Sequence, residues 1–296
     1  MACVGIAVRD LVFDVSRLPG REGKYYAEEF REVAGGVAAN AAVAAARLGA
    51  TARYVGRVGA DSAGAAILDD LQAAGVDTSK VAVVPGVSSP VSAVLVDRKG
   101  ERTIVNHTPA ALFSDGDLAA AGDLDGVDAV LVDVRWPDGA RRAVHAARTL
   151  GIPSVLDYDR AAPELGDELL IAASHVAFSH DALQATVGTS DPEAALASVA
   201  SVTDAWLAVT MGGDGVYWLQ DGSVRHLPAF EVDVVDTTGA GDVFHGALAV
   251  ALAEHRSEPE AVRFAAAAAA LKCTKRGAGT GAPTRAEVDN LLREPS

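Results

Sequence analysis

Short apolar runs rich in β-branched residues alternate with Ala/Leu-rich stretches through most of this chain. The strand-like runs are 2–8, 53–58, 129–134, 153–157, 176–178 and 206–210. Helical patterns fill 38–48, 63–74, 140–150 and 192–202 between them. Such alternation predicts βαβ units and a mostly parallel sheet covered on both faces. The expected fold class is therefore α/β, with a three-layer αβα core.

Two segments break the rhythm. Residues 11–33 and 87–107 keep period-2 alternation with no helix between. Within them, 12–15 and 24–33 read as strands, and 91–96 with 102–105 as a hairpin closed by the turn DRKG at 97–100. They predict a small antiparallel β-sheet at one edge of the core, acting as a lid. The expected division is a core of 1–10, 34–86 and 108–296 and a lid of 11–33 and 87–107. Amphipathic lid strands need cover for their apolar face, and a homodimer through the lid supplies it. A further apolar β-run, 232–235, leads into an Ala/Leu-rich helix that begins near Gly239 and passes Ala253.

Composition narrows the function. Half of the 296 residues are hydrophobic and 22% are charged, which is globular composition. The formal charge of −15 argues against nucleic acid, because phosphates are repelled outside a local basic pocket. A small anionic substrate needs only a few cations and stays allowed. Cys3 and Cys273 lie far apart with no CxxC, so no disulfide framework or zinc site is implied. The longest apolar runs, such as 264–271, are too short and Ala-rich to span a bilayer. With no basic leader or cleavage site, a cytoplasmic protein without membrane contact is expected.

Three glycine-rich turns carry the candidate chemistry. The run DTTGAGD at 236–242 places glycines where a strand turns into a helix, leaving N–H groups bare at a positive dipole end. Asp242 follows within one turn, so a phosphate cradle and a base stand together, as phosphoryl transfer to a hydroxyl requires. The run GGVAAN at 35–40 pairs glycines before a helix, and Asn40 offers a donor and an acceptor to a sugar hydroxyl. The run VTMGGDG at 209–215 takes a strand end into a turn able to receive nucleotide phosphates. Taken singly, each also reads as a tight connection with a helix cap.

Together, in this order, they resemble the ribokinase-like (PfkB) carbohydrate kinase family. Its two signatures appear as GGVAANAAVAAARLGATARYVGRVG at 35–59 and DTTGAGDVFHGALA at 236–249. The resemblance implies a catalytic base at Asp242 and an anion hole from the N–H groups of Gly239, Ala240 and Gly241. It implies sugar contacts at Asp10, Gly36 and Asn40, and nucleotide phosphates at Thr210, Gly212 and Gly215. Ala269, Cys273 and Gly277 would line the adenine region. ATP and magnesium are the implied cofactors, with a monovalent cation, potassium, at Asp236 and Thr238. The segments GKYYA, GERTIVNH and DVRWPDGA further resemble the sulfofructose kinases, Trp136 being no general family feature. That narrower likeness implies a sulfonate pocket of Lys24, Asn106 and Arg135, two cations and an amide suited to a fixed monoanion.

One departure stands out. Where the family often carries Asn-x-x-Glu, this chain has Ser179 and Ala182, which leaves magnesium to water and ATP oxygens, with Asp181 or Asp157 farther out. His107, His175, His180, His226 and His245 show no ligand spacing, and His245 reads as a packed or surface residue. Trp206 and Trp218 read as packing, and Cys273 as a small buried hydrophobe. The expectation is phosphorylation of 6-deoxy-6-sulfofructose at its C1 hydroxyl. A kinase for fructose 6-phosphate or another sugar, and a catalytically silent binding regulator, remain open at this point.

Overall fold

The computed structural model describes residues 1–98, 100–114, 124–159 and 168–293. The strand-like runs form one eight-stranded sheet. From edge to edge it runs Ser223–Leu227, Val216–Gln220, Trp206–Thr210, His175–Ser179, Ser154–Tyr158, Val130–Asp133, Ala2–Val4 and Arg53–Val55. The last six are parallel, and the first two add an antiparallel edge.

Period 2 splits the strands between two cores. Cys3, Leu131, Val155, Ala177 and Ala208 face helices Val37–Arg47, Ala240–Ala253 and Glu258–Cys273. Val4, Val132, Leu156, Val176 and Val209 face Pro137–Leu150 and Pro192–Ala200. Both faces of each central strand are buried, which is why these runs read as continuously apolar. Helix Ala240–Ala253 is buried from Val243 to Leu252, and it lies between its two neighbours. A Cβ at Gly246 would stand 2.7 Å from the Ala41 carbonyl, so that helix contact needs glycine. Among the described residues no helix is long and apolar enough to cross a membrane.

The second sheet has four strands in the order Ala27–Gly35, Val8–Val15, Val91–Val96, Arg102–His107. Its two outer pairs are antiparallel and its central pair is parallel. The hairpin closes through Asp97, whose carbonyl accepts from Gly100 N at 3.0 Å; Lys99 lies outside the described residues.

Two expectations are corrected. The run 2–8 is two strands, because Ile6 N donates to the Asp133 carboxylate at 2.8 Å instead of to a neighbouring strand. The run 232–235 is no strand. Val234 and Val235 are exposed, and Val235 N and Asp236 N both donate to the Cys273 carbonyl. Alternation there reflects an extended segment laid against a helix end.

Candidate active site

A cavity of about 290 Å3 opens where the carboxyl end of the large sheet meets the small one. Asp10, Gly36, Asn40, Asn106, Arg135 and Asp242 all line it. Lys24 does not; it is exposed, with its ammonium 5.3 Å from the Tyr26 ring centroid. A larger cavity, about 590 Å3, opens at the amino ends of the strands beside Ile171, Ser174 and Thr203. Open parallel sheets bind ligands at their carboxyl ends, and the acid–base groups gather there, so the smaller cavity is the candidate.

The paired glycines make room for the wall. A Cβ at Gly35 would stand 2.1 Å from an Asp10 carboxylate oxygen. Gly36 has φ 98°, and its Cβ would stand 2.6 Å from the Ile6 carbonyl. Burial pushes the Asp10 carboxyl up to about 6, against the pull of its hydrogen bond from Ser92.

Asp242 sits in the first turn of Ala240–Ala253, whose N-cap, Gly239, has φ 72°. A Cβ at Gly239 would meet Ala278 at 2.8 Å, whereas one at Gly241 would meet nothing within 4 Å. Ala240 N–H donates within the loop to the Thr237 carbonyl at 3.2 Å. Asn40 Nδ2 donates to Asp242 Oδ2 at 2.7 Å, and Asn40 Oδ1 accepts from Gly279 N at 3.1 Å, which fixes the amide orientation. Asp242 Oδ1 accepts no hydrogen bond from the described residues.

His245, one turn further on, is buried rather than superficial. Its Nδ1 lies 2.7 Å from the Gly241 carbonyl and 2.9 Å from Asp157 Oδ2, and its Nε2 lies 3.1 Å from the Ala177 carbonyl. Both ring nitrogens face oxygen acceptors, so both donate and the ring is an imidazolium. Burial alone lowers its pKa, but Asp157 and the two carbonyls outweigh burial and lift it to about 9. Asp242 is pushed up to about 7, first by burial and then by the Asp157 charge, while Asn40 and His245 oppose. Asp157 is thus occupied as the partner of His245.

Asp236 anchors the same loop. Its Oδ1 accepts from Thr238 N at 2.9 Å and Thr238 Oγ1 at 2.5 Å, and its Oδ2 accepts from Gly277 N at 3.0 Å. Arg102, from the small sheet, donates to the hydroxyls of Thr237 and Thr238. The buried Lys272 donates to the Asp236 carbonyl at 2.5 Å.

Arg135 follows strand Val130–Asp133 and pairs with Asp159, not with Asp133 or Asp138. Asp133 is instead a buried clamp, accepting from the backbone N–H groups of Ile6, Ala38 and Arg135. Burial lifts its carboxyl to about 6. Trp136 is buried against Phe113, with ring centroids 5.8 Å apart, so it packs behind Arg135.

The expected nucleotide residues lie apart from this cavity, except Gly277, which lines it. Thr210 ends its strand and donates to the Phe178 carbonyl at 3.3 Å, and Gly212–Asp214 forms a short turn before Gly215. Ala269 packs against the core, and Cys273 is half-buried, its carbonyl serving Val235 and Asp236. Ser179 caps the helix His180–Val187 by accepting from Ala182 N, and Asp181 is exposed. Sequence reasoning missed the Asn40–Asp242 bond, the His245–Asp157 pair and Lys272. A Lys inside an apolar helical run was the available signal for the last.

Comparison with known proteins agrees with this geometry. The pfkB family carbohydrate kinases match residues 1–285. The chain is 35% identical to the ribokinase of Bacillus subtilis, covering 98% of each chain. It is 32% identical to an ATP-dependent ribose-1-phosphate kinase of Halopiger xanaduensis, over 96% of this chain and 95% of that one. The Arabidopsis thaliana ribokinase, solved with ribose and ATP, superposes with a TM-score of 0.88 at 28% identity, covering 99% and 98%. The chain belongs to the pfkB family of carbohydrate kinases. It is an ATP-dependent phosphotransferase acting on a sugar.

Proposed function

We propose that the enzyme transfers the γ-phosphoryl group of ATP to the C1 hydroxyl of 6-deoxy-6-sulfofructose. The observation that carries this reading is Arg135 in the wall of the cavity that holds Asp242, with the Asn106 amide in the same wall. A guanidinium and an amide there suit an anionic group at the far end of the sugar. Asp10, Gly36 and Asn40 bind the hydroxyls between. Lys24 lies outside the cavity, so Arg135 and Asn106 make the anion contacts.

Asp242 removes the hydroxyl proton as the sugar oxygen bonds to phosphorus. The bond from phosphorus to the β-bridging oxygen breaks, and ADP leaves with that electron pair. Asn40 holds Oδ2 and leaves Oδ1 for the proton. The N–H groups of Gly239 and Gly241 receive the charge that develops on the phosphoryl oxygens, the Ala240 N–H being donated to the Thr237 carbonyl. Thr210, Gly212 and Gly215 take the nucleotide phosphates, with Ala269, Cys273 and Gly277 toward the adenine. A magnesium ion bound to ATP would supply charge neutralisation for the phosphates, and because Asp157 is held by His245 the chain would leave that ion to phosphate and water oxygens.

The names of the relatives favour ribose as the second reading. Comparing kcat/KM on sulfofructose, fructose 6-phosphate and ribose by ADP release separates the readings. The highest value is expected on sulfofructose; a preference for ribose or for fructose 6-phosphate overturns the substrate. The small sheet leaves Phe30 and Val105 exposed on the face turned away from the cavity, which suits a homodimer through this face. Light scattering on Val105→Glu, expected as a monomer beside a dimeric parent, tests it.

A further inference from the structure

The implied potassium site does not fit this chain. Every oxygen of Asp236 already accepts from a donor: Oδ1 from Thr238, Oδ2 from Gly277 N, and the carbonyl from Lys272. Two cationic groups flank the carboxylate, with Arg102 Nη1 and Lys272 Nζ each 3.9 Å from one of its oxygens. A third positive charge would meet repulsion from both and no free oxygen on Asp236.

Lys272 is the unusual member. It is fully buried, on a helix whose neighbouring positions are mostly alanine. Lysine is almost never fully buried unless partnered. Here Nζ donates to the carbonyls of Asp236 at 2.5 Å and Lys275 at 3.2 Å, and its third side faces the Asp236 carboxylate. An ammonium satisfies all three oxygens, whereas a neutral amine would turn a lone pair toward one of them. Burial draws its pKa below the ordinary lysine value, with Asp236 opposing.

We propose that the Lys272 ammonium is the built-in cation of the 236–242 loop, so that the enzyme works without potassium or sodium. The side chain ties the loop's first residue to the end of helix Glu258–Cys273 and places a fixed positive charge behind the phosphoryl-binding amides. A covalently attached cation carries no dissociation constant, so the loop holds its shape at any salt composition.

Two measurements decide it. The melting temperature of the protein without substrate is followed in potassium, sodium or tetramethylammonium chloride at equal ionic strength, and turnover of whichever sugar is accepted is followed in the same salts. Both are expected to be the same in all three. A melting temperature or rate that falls in tetramethylammonium and returns with potassium overturns the proposal. The melting arm needs no substrate, so it stands even if the sugar assignment fails. Lys272→Ala opens the oxygen cage and is expected to lose about tenfold or more in kcat/KM, as outer contacts to a charged site do. Ammonium or potassium ions restore that loss in Lys272→Ala. Lys272→Met keeps the stem in place and is not restored. If Lys272→Ala does not fold, the parent's cation series still decides.

Discussion

The floor of the cavity and its outer wall are built in different ways. On the floor, Asp242, Asn40, His245 and Asp157 bond one another and the backbone of packed helices and strands. In the outer wall, strand Arg102–His107 is exposed over nearly its whole length, and the exposed Lys24 lies outside the cavity. The groups proposed for phosphoryl transfer, shared by every candidate substrate, sit where packing holds them in place. The groups proposed to distinguish one sugar from another hang on a thin sheet and a loop, where substitution costs the core little.

The sharpest way to break this contrast is on the floor. Asp242→Asn is expected to lower kcat by about 10²- to 10⁴-fold, the range for a general base, with sugar affinity kept, as single-turnover kinetics and direct binding report. The same variant carries a stability signature. Folding raises the Asp242 pKa from 3.8 to about 7, so the parent loses stability as pH rises between those two values and levels off above the higher one. The Asn variant escapes the cost, and its melting temperature relative to the parent is expected to climb between about pH 4 and pH 7 and then stay level.

On the wall, Arg135→Met is expected to cost about 10- to 100-fold in kcat/KM on the sulfonated sugar, from the loss of a charge-assisted bond. Ribose turnover changes little in that variant. Equal losses on both sugars would place Arg135 with the floor.

Between the two regions, Gly36→Ala introduces a Cβ 2.6 Å from the Ile6 carbonyl at φ 98°. A loss of about 1–3 kcal/mol is expected in urea unfolding. The subtlest test concerns the charge behind the base. His245→Asn leaves Asp157 unopposed, so the acid limb of kcat/KM moves above about 7, whereas Asp157→Asn moves it below. A limb that stays in place in both variants removes His245 from the electrostatics of the base.

Much of this was legible in the sequence because it is local. Gly36 and Gly239 are demanded by close approach and positive φ and Gly35 by the Asp10 carboxylate beside it, and period-2 and period-3.6 runs report which faces are buried. The run 232–235 misled because alternation marks an extended chain without saying whether another strand lies beside it. Arg135 follows the core strand Val130–Asp133, but its partner Asp159 was not legible, since pairing depends on how two loops meet.

The sequence by itself determined the order of elements, the two glycine signatures and the carboxylate at the start of the 240–253 helix. Each depends on neighbours within a few residues. Only the tertiary structure decided that Asn40 holds Asp242, that His245 is a buried imidazolium, that Lys24 stands outside the cavity, and that Lys272 fills the oxygens of the 236 loop. Charge state and hydrogen-bond partner follow from burial and from contacts between residues far apart in the chain, and these come into being only when the helices pack.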